Sequence, residues 1–203
     1  SDNSPSAPHY CICFEDVVEA SDRIRGVAHK TPVLTSRSLM TTASGGDHNN
    51  DNDDGQDYFF KVEAMQKTGS FKFRGALNAV KYQIETTLQK KNKSKEEKSK
   101  CDSCSSNLIV IPVVTHSSGN HAQALALASK LASSENTTTT NNNDTKNSNK
   151  NTQETRTIVN VTATIVMPRN CPKIKKQAVV DFGAEIVLVE NTNEARKKRS
   201  QAD

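Results

Sequence analysis

The chain has 203 residues, 33% of them hydrophobic, with a mean hydropathy of −0.69 and a formal charge of +4. That length suits one large domain or two small ones, and the polar excess is confined to a few stretches between segments rich in Val, Ile, Leu and Ala, which excludes a wholly disordered chain. The basic residues cluster in Lys90–Lys100 and Arg196–Arg199 with no aromatic residue beside them, so they read as solvated surface rather than a nucleic-acid interface, and no apolar run approaches the ~18 residues of a membrane span.

Residues 1–8 are polar and contain two prolines, the composition of a loose tail. The start of the chain has neither the apolar core of a signal peptide nor an initiator Met, so an upstream segment is expected to have been removed. From Phe14, Val17, Ala20, Ile24 and Val27 recur at helical spacing. Asp16 supplies negative charge near the helix start, and Thr31-Pro32 is the expected stop. Val33–Met40 reads as extended or irregular, and residues 41–57 as a first polar insertion. A short strand over Tyr58–Met65 and a turn at Lys67–Gly69 lead into a helix from Ser70, its expected N-cap. Ala76, Leu77, Val80 and Ile84 form that helix's apolar stripe.

Residues 89–107 are read as a second insertion. The run from Asn107 is nearly continuous in apolar residues, the pattern of a strand buried on both faces of a parallel sheet. An alanine-rich helix follows from His121, then a third insertion over 133–157. A second buried strand spans 158–168, a helix 172–183 and a third strand 184–190. Strands alternating with helices predict parallel βαβ units and an open α/β fold, with the insertions in connections where added length costs little.

Five cysteines at irregular spacing argue against a disulfide framework and for a reducing, cytoplasmic compartment. Cys101 and Cys104 form a CxxC pair without a second half, so no metal site is expected.

Two motifs carry chemical content. In Ser70-Phe71-Lys72-Phe73-Arg74-Gly75 a lysine stands between two phenylalanines. Burial there would disfavour its charge and free an amine able to condense with an aldehyde. A surface lysine whose stem lies over the rings is the simpler reading of the hexapeptide alone. In Thr115–His121 two serines, a glycine, an asparagine and a histidine fall between a buried strand and a helix. Ligands of open α/β sheets bind beyond the carboxyl ends of strands, and a helix N-terminus offers N–H groups to a carboxylate or phosphate. Helix capping alone needs fewer polar residues than this. Met167–Lys173, with two prolines and a basic helix start, is read as a loop without a ligand.

With both motifs in place, the chain resembles the fold-type II pyridoxal-phosphate enzymes (the tryptophan synthase beta-like fold), and within them the serine racemase and serine/threonine dehydratase group. The resemblance runs collinearly through residues 9–20, 29–39, 59–80, 113–132 and 163–190, broken by the three insertions. It implies that Lys72 holds pyridoxal 5′-phosphate, that Phe71 lies against the cofactor ring and that Asn120 bonds its 3′-oxygen. Ser117, Ser118, Gly119, Asn120 and His121 would hold the substrate carboxylate, joined by Arg196. Lys72 and Ser118 would move protons on opposite faces of the α-carbon. The resemblance also implies an activating ATP with Mg2+ at a subunit interface, at Ser36, Lys67, Thr68 and Gln123, although Arg37 replaces a serine of the animal racemases.

Cysteine synthases typically have threonine where His121 stands, and biosynthetic threonine dehydratases alanine where Ser118 stands. The implied activity is racemisation of serine with serine/threonine ammonia-lyase activity, on L-serine, D-serine and L-threonine, in a homodimer. The family's glycine-rich phosphate loop lies later than Asp203, so the chain is expected to be a fragment. The expected division is a large-domain part over 1–81 and a small domain over 82–203. The competing reading is an inactive truncated homologue acting as a binding or regulatory protein.

Overall fold

Cys13 opens the first helix, α1 (Phe14–Ile24), where its backbone N–H donates to Asp16 Oδ2 at 2.8 Å. That bond holds the Asp16 carboxyl below its usual range, as the helix dipole also favours. The computed structural model describes residues 11–36, 58–96, 107–135, 137–140 and 155–201. The expected tail, the insertion at 41–57 and the Cys101–Cys104 pair lie outside them. The helix stops at Ile24, short of the expected Thr31-Pro32, because Gly26 adopts φ +77°, a left-handed conformation that breaks the helical path. Ile24 and Val27 reach the core, but Val17 of the same periodic set is exposed.

Strands β1 (Val33–Thr35) and β2 (Phe59–Lys61) form an antiparallel pair, with Leu34 opposite Phe60. Two single 3-10 turns come next, Glu63–Met65 and Lys67–Gly69. Thr68 takes φ 64°, ψ 12°, an unusual conformation for a β-branched residue. Helix α2 then runs over Lys72–Glu96. It begins two residues after Ser70, whose buried hydroxyl has no hydrogen-bond partner among the described residues, so Ser70 does not act as the expected side-chain cap. Phe73, Ala76, Leu77, Val80 and Ile84 are buried along one stripe. The helix continues through Gln89–Glu96, which the polar composition assigned to an insertion. Lys, Gln and Glu are good helix formers even without an apolar face.

The main sheet contains β3 (Asn107–His116), β4 (Thr137–Thr140), β5 (Thr155–Pro168) and β6 (Glu185–Val189). Strand β5 lies at its centre. It pairs in parallel with β3 along one edge, antiparallel with β4 near its start, and in parallel with β6 near its end. The third insertion is therefore shorter than expected. Four β-branched threonines form β4, and β5 starts at Thr155. Between the stretches that β4 and β6 occupy, Ser133 Oγ accepts the Val161 N–H at 2.8 Å.

Helices α3 (Asn120–Glu135) and α4 (Lys173–Asp181) complete the parallel crossovers. Helix α5 (Asn193–Ser200), in a segment read only as a charged tail, packs on β3, β5 and β6. One core joins α2, α3, β3 and β5 through Phe73, Leu77, Ala128, Ile109, Ile111 and Ile165. This is the α/β parallel-sheet class expected. The expectation for β3 needs correction, since Ile109 and Ile111 are buried while Leu108 and Val110 are 60% and 50% exposed. Only one face of its amino-terminal half is covered. Among the described residues no helix is long and apolar enough to cross a membrane.

Candidate active site

Register brings two loop starts together. His116 pairs with Val166, so the chain leaves β3 and β5 at the same end of the sheet. Beyond β3 comes Ser117–Gly119 and then the start of α3; beyond β5 comes Arg169–Pro172. The Ser117 N–H donates to Val166 O at 3.1 Å, fixing the first loop to the strand beside it. Ser117 Oγ accepts the Gly119 N–H at 3.3 Å, and the buried Cys171 thiol donates to Ser118 O at 3.7 Å. Ser117, Ser118, Gly119 and His121 are half-buried, and Asn120 is exposed at the helix start.

Lys72 stands at the first position of α2. Its neighbour Phe73 faces the core while Phe71 is 58% exposed, so the two rings do not enclose the amine, and Lys72 is the surface lysine that the hexapeptide alone favours. Lys72 is exposed, and its ammonium lies 4.7 Å from the Phe71 ring centroid, a cation–π contact. The motif loop is close enough to feel it. Burial lowers the pKa of His121, and the charges of Lys72 and His116 lower it further. Both effects disfavour the imidazolium form of His121.

The start of α2 is held rigidly. Arg74 donates through Nε to Glu63 Oε2 at 2.9 Å and through Nη2 to Glu63 Oε1 at 2.7 Å. The same Nη2 reaches His29 O at 3.0 Å and Thr31 Oγ1 at 3.2 Å. Thr31 Oγ1 donates to Glu63 at 2.7 Å. Hydrogen bonds from the Arg74 guanidinium, aided by Thr31, lower the Glu63 carboxyl pKa to about 2. Gln66, also buried, donates to His29 O and accepts from His29 N, each at 2.9 Å. Sequence reasoning includes Arg74 in the motif but assigns it no role. Its signal is an arginine two residues from the lysine, with a glutamate upstream.

The other expected site residues are distributed around this centre. Lys67 and Thr68 lie in the 3-10 turn against which α3, the helix of Gln123, packs. Ser36 is half-buried just after β1, and Arg196 belongs to α5. Thr68 and Ser70 both carry buried hydroxyls without a partner among the described residues, a polar surplus within four residues of Lys72. Cys171, in the loop read as having no ligand role, contacts the motif loop directly. The equivalence of the two strand ends was the available signal.

Residues 29–157 match the family described as pyridoxal-phosphate dependent enzyme. Serine racemase of Rattus norvegicus is 37% identical over 192 residues, which are 95% of this chain and 41% of the relative. L-threo-3-hydroxyaspartate ammonia-lyase of Saccharomyces cerevisiae is 36% identical over 91% of this chain and 39% of its own. A solved pyridoxal 5′-phosphate-dependent aspartate racemase superposes with a TM-score of 0.60 at 31% identity, covering 97% of this chain and 43% of that one. The solved serine racemase from Dictyostelium discoideum gives 0.58 at 31% identity, covering 93% and 42%. The chain spans roughly two-fifths of the length of each of these relatives.

Proposed function

Because the chain belongs to the pyridoxal-phosphate-dependent enzymes, we propose that it is part of a serine racemase with serine/threonine ammonia-lyase activity, taking L-serine, D-serine and L-threonine. The observation that carries this reading is the packing of α2, which starts at Lys72, against α3, which starts in the Ser117–His121 motif at the carboxyl end of β3. Relatives named serine racemase support the substrate class.

The residues fit the cofactor. No ion pair among the described residues holds Lys72, and its exposed amine lies beside the exposed Phe71 ring, so a cation and a flat apolar face are both open to an anionic, phosphate-bearing aromatic aldehyde. Pyridoxal phosphate supplies an electron sink that acidifies the α-carbon of a bound amino acid. In this reading Lys72 holds the cofactor through Nζ, Phe71 offers its exposed ring as a stacking face and Asn120 bonds the 3′-oxygen. The Ser117–His121 loop and the first N–H groups of α3 bind the substrate carboxylate, with Arg196 joining them. Lys72 Nζ takes or returns the α-proton on one face and Ser118 Oγ on the other.

Ser36, Lys67, Thr68 and Gln123 form the proposed activating site for ATP with Mg2+, in a cytoplasmic homodimer. The proposed large and small domains meet at residues 81 and 82, inside α2, which would be shared between them.

Borohydride reduction of the complete protein with pyridoxal phosphate, followed by peptide mapping, is expected to label Lys72 alone. A label elsewhere, or none, overturns the assignment and favours a binding or regulatory homologue. Ser118→Ala should lower D-serine formation by about 10²–10⁴-fold, the usual contribution of a general acid–base group. Pyruvate release from L-serine should fall far less, because elimination needs only the Lys72 face. Chiral chromatography beside a coupled pyruvate assay separates the two. Equal losses would make Ser118 a binding residue.

A further inference from the structure

We propose that Cys171 is a positioning residue for Ser118, acting by pinning the peptide unit that joins Ser118 to Gly119; the catalytic half of this inference rests on the function proposed above. Both polar atoms of that one peptide are bound. Its carbonyl oxygen accepts from Cys171 Sγ at 3.7 Å, and its N–H donates to Ser117 Oγ at 3.3 Å. The two holds come from different parts of the chain, one from the loop after β5 and one from the motif loop itself.

The pin matters because the residue after Ser118 is a glycine. Gly119 has no side chain, and a Cβ built there meets nothing within 4 Å, so no side-chain packing at 119 restrains this peptide. Holding the 118–119 peptide fixes ψ of Ser118, and ψ governs which side-chain rotamers, and so which hydroxyl directions, are open to that residue. On the other side Ser117 N–H is already fixed to Val166 O. Ser117 is thus tied to β5 through its N–H, and Ser118 to the loop after β5 through its carbonyl.

Cys171 is itself well fixed. It is 6% exposed, its N–H donates to Pro168 O at 3.0 Å, and Pro172 behind it leads directly into α4. A thiol is a weak donor, so the pin is a modest constraint, suited to holding a loop against which a substrate carboxylate must also press.

The test uses the complete protein with Cys171→Val, which fills the space without a donor, and Cys171→Ser, which keeps one. Amide exchange at Gly119 reads the pin without catalysis. It should accelerate about three- to tenfold in Cys171→Val, the range expected for one lost hydrogen bond, and stay near wild type in Cys171→Ser. The kcat for D-serine formation should fall by a similar factor in Cys171→Val at unchanged KM and melting temperature, with Cys171→Ser retaining it. Gly119 exchange unchanged in Cys171→Val would overturn the proposal, as would equal loss in both variants, which would make packing rather than donation the cause. A wild type that makes no D-serine, while Gly119 exchange responds as described, would sink the racemase reading and leave the pin standing.

Discussion

Glu63 illustrates what a single side chain contributes here. Its carboxylate receives two bonds from Arg74 and one from Thr31, with 20% of the side chain exposed. The pKa is lowered from 4.5 to about 2, so the stabilisation is fully present above about pH 4.5 and is lost as pH falls through 2. Glu63→Gln should therefore destabilise the chain at pH 7 by about 1–3 kcal/mol, the usual value of hydrogen bonds to a charged group. The gap to wild type should narrow as pH falls from 4 towards 2. Urea denaturation at pH 7 and pH 3 measures both; a pH-independent gap would mean that Thr31 and packing, rather than charge, hold the turn. Two residues from Lys72, this pair fixes where the helix of the proposed catalytic lysine begins.

Among the elements, what the sequence disclosed depended on whether an apolar stripe marked them. Ala76, Leu77, Val80 and Ile84 mark α2, and all four are buried. The stripe ends before the helix does, so its last turns read as insertion. Helix α5 has no stripe at all in Asn193–Ser200, and its sequence reads as a charged tail. Strand β4 is four threonines inside a Ser/Thr/Asn tract, where low complexity outweighs β-branching as a signal. Only 14 residues, 141–154, now separate two strands that are antiparallel neighbours. Replacing them with Asn-Gly should leave the melting temperature unchanged or raise stability by at most about 1–2 kcal/mol, because loop closure costs grow only logarithmically. A marked fall in thermal denaturation temperature would show that the tract contributes contacts of its own.

At the scale of the whole molecule, the fold class was legible because alternating strands and helices leave few arrangements open. The Lys72 and Ser117–His121 segments were legible because their residues are unusual in combination. The Cys171 contact and the Arg74 anchor were not, since each joins residues far apart in sequence through geometry that no local pattern encodes. The same limit applied to β3: Leu108–Val114 is uniformly apolar, and a uniform run cannot say which of its faces is covered.

That uncovered face has a practical consequence. Leu108 pairs in register with Ile158, and Val110 lies next on the same side, so three branched side chains form a contiguous apolar patch in water. Sulfate, excluded from protein surfaces, strengthens the drive to hide such a patch. This chain should therefore salt out at lower ammonium sulfate than its high lysine content suggests. Leu108→Lys combined with Val110→Thr should raise the precipitation point while leaving the thermal midpoint nearly unchanged. Turbidity across a sulfate series decides it, and an unmoved precipitation point would place the governing surface elsewhere.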